Sequence, residues 1–223
     1  MKLRALCILF VSVNAMACSS GPRDFSGDDA AAPVPDTGPT TTDLCAAGYP
    51  AGPYGTGVGK IVNPGLSWKG YLPGASTVST FTPNDLWDCD GSKGINAIIF
   101  DVSAEWCAAC QSQAANLPDL VSQYTQLGID AVTLVVQDAS SAPATTATAL
   151  DWRTQYKLTG ITVAADPSFS FAPLDETSVD LPVTIIVDPR TMTIMKVTQG
   201  YIAAYPITPD AEAVSIAKKN GSQ

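Results

Sequence analysis

Two cysteines separated by two alanines, Cys107 and Cys110, constrain the fold of this chain more than any other feature. They follow a buried-strand pattern over 95–102 (INAIIFDV) and open a segment with helical periodicity over 107–126. The first thiol then lies at a helix start, where unpaired amide groups and the helix dipole favour an anion. The second thiol lies one turn further on and can close a disulfide with the first. The pattern favours a redox-active thiol pair at a strand–turn–helix junction.

Two other interpretations of this pair remain open. In the first, Cys107 and Cys110 form half of a zinc site whose other half is Cys45 and Cys89. The spacing of Cys45 and Cys89 is not that of a zinc ribbon, and an exported protein favours disulfides over zinc. In the second, the pair is a purely structural disulfide across a short loop.

The remaining elements alternate between strand and helix. Apolar runs predict strands over 129–137, 161–165, 183–187 and 193–198, and periodic segments predict helices over 145–156 and 209–219. Pro118 falls inside the first helix and should kink it. The last two strands are joined by a tight turn. We therefore predict an α/β fold, with a central mixed sheet flanked by helices and an antiparallel end.

The first 17 residues have the organisation of an export signal. Lys2 and Arg4 precede an apolar run of about ten residues, too short to span a bilayer. Small residues then lead directly into Cys18, which is the pattern of a bacterial lipoprotein signal. We expect lipidation of Cys18 after removal of 1–17. Ordinary secretion with cleavage after Ala17 is the alternative.

Composition divides the rest of the chain into a tether and one domain. Residues 18–43 carry Ser, Gly, Asp, Pro and Thr with almost no bulky apolar side chains, so they cannot bury enough surface to fold. The domain is expected over 44–223. Its N-terminal lobe, 44–94, is rich in Gly and Pro and contains one short hairpin around 69–82; the core follows over 95–223.

Charge and residue types exclude several classes of function. The chain has no histidine, which removes Ser-His-Asp hydrolases, Cys-His proteases, HExxH zinc peptidases and His-ligated haem. Its formal net charge is −9, and removal of 1–17 takes away two positive and no negative charges, leaving −11. An acidic chain without a basic run is not expected to bind nucleic acid. No cofactor and no metal ion is expected.

The residues around the cysteine pair resemble the active-site strand and helix start of thioredoxins. The resemblance is carried by IIFDVSAEWCAAC at 98–110 and, in family order, by 131–137, ITVAADP at 161–167, LPVTIIVDP at 181–189 and Gly200-Tyr201. The resemblance covers about 75–223. This part of the chain is similar to the redoxin and TlpA-like branch of the thioredoxin superfamily. It implies a thioredoxin-like fold that carries out thiol–disulfide exchange.

The resemblance implies a catalytic role for three residues. Cys107 matches the attacking nucleophile, and Cys110 matches the resolving thiol. Asp101, six residues before Cys107, matches the buried carboxylate that accepts the proton of the resolving thiol. The alternative for Asp101 is a strand-end residue that faces water.

Three further residues are expected to contact the substrate. Pro182 matches the family's cis-proline, which lies against the disulfide, and Leu181 precedes it. The backbone at this position is expected to bind an extended segment of the substrate. Trp106 is expected to pack beside the cysteine pair and shield it.

The chain departs from the family pattern in ways that bear on function. Its spacer is Ala-Ala, and because spacer residues tune thiolate stability, the direction of electron flow is left open. The strand over 129–137 lacks the lysine that thioredoxins often carry there. Phe100 and Ala104 occupy the positions of the Pro and the Thr or Ser that peroxiredoxins need, so peroxidase activity is not expected.

The remaining cysteines suggest a second disulfide. Cys7 leaves with the signal and Cys18 is taken by lipid, so Cys45 and Cys89 are the partners available for a structural bridge. A second redox pair that relays electrons is the alternative.

Together these observations predict a thiol–disulfide oxidoreductase outside the cytoplasm, anchored by lipid on the periplasmic side of the envelope. Its expected partners are protein dithiols or disulfides and a redox partner, with the membrane contacted through the lipid. The alternative is a non-catalytic thioredoxin-like lipoprotein that serves as a binding or scaffold module.

Overall fold

A computed structural model describes residues 41–172, 179–200 and 211–222. The predicted signal over 1–17, the predicted lipidation site Cys18 and the predicted tether up to residue 40 lie outside the described residues. Tyr201 and the first two residues of the predicted closing helix also lie outside them. No helix of the described ranges has the length and hydropathy that crossing a membrane requires.

Five helices and seven strands are described. In chain order they are α1 (Thr41–Ala46), β1 (Trp68–Tyr71), β2 (Ser79–Phe81), α2 (Pro83–Leu86), β3 (Ala97–Ala104), α3 (Ala108–Gln126), β4 (Ile129–Gln137), α4 (Thr146–Gln155), β5 (Thr162–Ala165), β6 (Val183–Asp188), β7 (Thr193–Gln199) and α5 (Ala211–Asn220). The strands form one sheet in the order β2-β1-β5-β4-β3-β6-β7. β3, β4 and β5 are parallel, and the other pairs are antiparallel. The predicted α/β fold with a mixed sheet is confirmed.

The centre of the sheet matches the sequence patterns closely. Every residue of β3 is buried, as expected for a strand between two neighbours with helices packed on it. β4 has the predicted bounds, and α3 runs through Pro118 without a break. The buried positions of α3 recur at helical spacing, which accounts for its packing on the sheet.

The N-terminal lobe contributes to the main sheet through its hairpin. β1 pairs with β2 as predicted, and its other edge pairs antiparallel with β5. Trp68 of β1 packs near Phe81, Phe100 and Phe171, with ring centroids 5.3 to 6.0 Å away. This aromatic cluster packs residues of the lobe against Phe100 of β3 and Phe171.

A buried ion pair joins the end of the lobe to the core, and a disulfide closes a loop within the lobe. Arg190, in the turn between β6 and β7, lies 3.2 Å from the Asp88 carboxylate and donates to the Ile95 carbonyl at 3.0 Å. Beside this pair, Cys45 and Cys89 are bonded to each other. The contacts of Arg190 attach the segment that precedes β3 to the end of the sheet far from Cys107 and Cys110.

Candidate functional site

The candidate site begins where β3 ends and α3 starts. The register of β3 against β4 shifts between Ser103 and Ala104, which marks a bulge just before the turn. Cys107 is the N-cap of α3 in an extended conformation, and the Cys110 amide donates to its Sγ at 3.1 Å. A sulfur in this position accepts an otherwise unpaired amide of the first turn, which stabilises a thiolate.

Cys107 and Cys110 are joined in a disulfide across the first turn of α3. Cys107 retains 6% of its surface and Cys110 retains none. The sulfur at the N-cap is therefore the one that a partner can reach first.

The loop before β6 brings a cis peptide bond to this disulfide. The bond joins Leu181 to Pro182, as the resemblance implied. The Leu181 carbonyl oxygen lies 3.7 Å from Cys107 Sγ, although the two residues are 74 positions apart in the chain. The nucleophile candidate thus lies directly against backbone groups of this loop.

Trp106 forms the exposed rim of the site. Its Nε1 donates to Gln137 Oε1 at 2.9 Å, which fixes the indole at the end of β4. Gln137 Nε2 donates in turn to the Ser141 carbonyl at 3.1 Å. With 48% of Trp106 exposed, the ring offers a fixed apolar surface next to Cys107.

Asp101 is buried under α3, so the interpretation of it as a strand-end residue facing water is wrong. It is 3% exposed, and burial raises its pKa from 3.8 to about 6. Hydrogen bonds oppose this rise: Ser103 Oγ and Gln113 Nε2 donate to Oδ1 at 3.0 Å each, and Thr133 Oγ1 donates to Oδ2 at 3.3 Å. The result is a carboxyl that can change its protonation near neutral pH.

The polar surroundings of Asp101 were missed by the sequence analysis. Thr133 on β4 and Thr184 on β6 are the direct neighbours of Asp101 in the sheet register, so three polar residues form a row across buried strands. Gln113 of α3 covers this row and donates to both Asp101 and Thr184. Polar residues inside otherwise apolar runs are a signal that could have flagged Thr133 and Thr184.

The second cysteine pair lies apart from this site. Among the described residues, Cys45, Cys89 and Asp90 form the group compact enough to hold a metal ion, and neither Cys107 nor Cys110 belongs to it. The sulfurs of Cys45 and Cys89 are already bonded to each other. The four-cysteine zinc site considered from the sequence is therefore wrong.

Comparison with solved structures gives the class of fold. A Chlorobium tepidum protein assigned as a thiol:disulfide interchange protein, DsbE, matches with a TM-score of 0.50 at 18% identity, over 70% of this chain and 97% of that one. A reduced 2-Cys peroxiredoxin of Plasmodium vivax also matches with a TM-score of 0.50, at 14% identity, over 72% of this chain and 80% of that one. The chain therefore has a thioredoxin-like fold.

Sequence comparison adds no closer relative. No protein-family model matches the chain, and no curated protein matches it.

Proposed function

We propose that this chain is a thiol–disulfide oxidoreductase that exchanges disulfides with protein partners through Cys107 and Cys110. The observation that carries the proposal is the position of Cys107 Sγ. It accepts the Cys110 amide at 3.1 Å and lies 3.7 Å from the Leu181 carbonyl oxygen, beside the cis Leu181–Pro182 bond. A sulfur held between an amide of the first helical turn and a half-buried peptide group is suited to attack a disulfide as a thiolate.

In the reducing direction, the Cys107 thiolate attacks one sulfur of a partner disulfide. A bond forms between Cys107 Sγ and that sulfur, the partner's disulfide bond breaks, and its second sulfur leaves as a thiolate. The amides at the start of α3 stabilise Cys107 as the anion that this step consumes. The enzyme is then joined to its partner by a mixed disulfide.

Cys110 resolves the mixed disulfide. Asp101 accepts the Cys110 proton, the resulting thiolate attacks Cys107 Sγ, and the partner leaves with both of its cysteines reduced. Two electrons pass from the dithiol to the partner, and the Cys107–Cys110 disulfide remains. The raised pKa of Asp101, about 6, suits a proton acceptor near neutral pH. The oxidising direction is the reverse of these steps.

The partner is proposed to bind as an extended segment. The Leu181 carbonyl lies beside the nucleophile, and strand-like pairing is a common way for proteins to hold a peptide. The fixed and half-exposed indole of Trp106, the residue before Cys107, supplies an apolar surface for the partner. Such a site recognises the backbone of the partner segment more than its side chains.

Cysteine variants test the proposal. Cys107→Ser should abolish reduction of insulin disulfides with dithiothreitol as electron donor, because it removes the nucleophile. Cys110→Ala should retain attack and accumulate a mixed disulfide, which non-reducing gels of cell extracts would detect and mass spectrometry would identify.

A double variant, Cys45→Ala with Cys89→Ala, is the matched control. It should retain exchange activity if that disulfide is structural, and lose it if the pair relays electrons. Wild-type activity in Cys107→Ser would contradict the proposed function and favour a binding module instead.

We also propose that the domain is held outside the cytoplasm by lipid on Cys18. The support is the small-residue junction before Cys18 and the polar tether that follows it. Mass spectrometry of the mature N-terminus should find a diacylglyceryl group on Cys18. An unmodified Cys18 in a released protein would contradict the anchor and leave export standing.

A further inference from the structure

A half-buried glutamine of α3 bridges two strands beneath the cysteine pair. Gln113 Nε2 donates to Asp101 Oδ1 at 3.0 Å and to Thr184 Oγ1 at 3.3 Å. Because Nε2 carries two protons, both bonds form at once. Asp101 and Thr184 are paired in the register of β3 and β6, and Thr184 lies two residues after Pro182. Gln113 therefore joins the helix of the cysteines to the strand that follows the cis peptide bond.

We propose that Gln113 is a positioning residue of the exchange site, which orients the Asp101 carboxylate for the resolving step and holds α3 against β6. The inference rests on the proposed function, because it assigns Gln113 an effect on the reaction of Cys110. Gln113 acts through Asp101 and is not itself a catalytic residue.

The chemistry of the three donors to Asp101 sets Gln113 apart. Ser103 and Thr133 use hydroxyl groups, which can turn to accept as well as donate and therefore suit either protonation state of the carboxyl. An amide nitrogen can only donate. Its bond to Asp101 is stronger when the carboxyl is ionised, so Gln113, like the two hydroxyl donors, favours the form that takes up the Cys110 proton.

Other ionisable groups do not account for the behaviour of Asp101. The influences on it are its burial and the three neutral donors, and no charged side chain of the described parts of α3, α5, β4 or β6 contributes. When the Cys107–Cys110 disulfide is reduced, the Cys110 thiol becomes a further titratable group. It lies one helical turn before Gln113. The hydrogen bond from Gln113 is thus one of few local means of adjusting the acidity of Asp101.

A two-step reaction separates this effect from the attack by Cys107. Reduced protein is mixed with dithiobis(nitrobenzoate): Cys107 breaks the probe's disulfide and releases one thionitrobenzoate, and Cys110 then displaces the second from Cys107. Two electrons pass from the dithiol to the probe. The rates of both releases are followed by stopped-flow absorbance across pH 5–9.

Two variants and a control are compared with the wild type. Gln113→Met keeps similar volume and removes the donor, whereas Gln113→Glu keeps the shape and adds a carboxyl. Gln123→Met, an exposed glutamine of the same helix, is the matched control. If Gln113→Met fails to fold, Gln113→Glu carries the test.

The pH midpoint of the second release should rise by about 1 unit in Gln113→Met, since losing a hydrogen bond to an ionised carboxylate raises its pKa by roughly that amount. Gln113→Glu should raise it as well, because a second carboxyl disfavours ionisation of the first. The first release should not change. The carbon-13 chemical shift of the Asp101 carboxyl in oxidised protein should titrate with the same displacement, a readout that a purely structural role would leave alone.

The outcomes distinguish the two proposals. If wild-type protein releases thionitrobenzoate in two steps and both Gln113 variants keep the wild-type pH midpoint and carboxyl titration, the role of Gln113 is refuted while the exchange function stands. A shift of equal size in Gln123→Met would also refute it. If the wild type releases no second thionitrobenzoate, the exchange function itself fails.

Discussion

Replacing Asp101 with Asn should make the folded domain more stable at neutral pH while slowing the reaction. In the native protein, burial raises the pKa of this carboxyl from 3.8 to about 6. By linkage, that difference corresponds to about 3 kcal/mol of native-state stability, at about 1.4 kcal/mol for each pH unit. The stability is fully present below pH 3.8, where the carboxyl is protonated in both states, and is lost as the pH rises through about 6.

Asn avoids this loss because it never ionises. It also fits the hydrogen bonds around Asp101: its oxygen can accept from Ser103 and Gln113, and its amide can donate to the Thr133 hydroxyl, which can turn to accept. The variant should therefore match the wild type near pH 4 and exceed it by up to about 3 kcal/mol above pH 7. The resolving step should slow because the proposed proton acceptor is gone.

Urea denaturation of oxidised wild-type and Asp101→Asn protein at several values between pH 4 and pH 8 measures this difference directly. Asp119→Asn, which changes an exposed carboxyl of α3, is the control and should follow the wild type at every pH. A stability difference that stays the same from pH 4 to pH 8, or a variant less stable than the wild type at pH 8, would refute the account of Asp101.

Three further variants test the framework of the domain. Replacing Cys45 and Cys89 by Ala opens a bridge with a sequence separation of 44 and should lower the unfolding free energy by about 4 kcal/mol in non-reducing urea titrations; a loss below about 1 kcal/mol would contradict a stabilising bridge. Arg190→Met should lower the free energy of unfolding by about 3–5 kcal/mol, measured by thermal unfolding, because the buried Asp88 carboxylate loses its ion-pair partner. A variant of near-wild-type stability would contradict this. Gly70→Ala should cost about 1–3 kcal/mol, since a Cβ there would overlap β5, and unchanged stability would contradict the tight approach of β1 to β5.

Patterns within the sequence were sufficient for most of the fold. The apolar runs that form β3 and β4 are buried throughout or nearly so. A near-continuous apolar run of this length is typical of a strand that is covered on both faces of the sheet. The start of α3 at the cysteine pair was also predicted, because residue spacing along one helix depends on local geometry alone. The hairpin of β1 and β2 was expected, but its pairing with β5 was not.

The composition of the candidate site depended on contacts that no local pattern encodes. Whether Asp101 faced water or the core could not be decided from the chain, since that required knowing that α3 covers this face of β3. The contacts of Gln113 with Asp101 and Thr184 join residues 12 and 71 positions apart, and the Leu181 carbonyl reaches Cys107 across 74.

The sequence by itself therefore determined the candidate chemistry: two thiols at a helix start, a carboxyl six residues earlier and no histidine. Only the tertiary structure decided the environment of that chemistry. Strand register aligned Thr133, Asp101 and Thr184 in one row, and helix packing brought Gln113 onto it. The physical reason is that burial and hydrogen bonding, which set the acidity of Asp101, arise from neighbours that are distant in the chain.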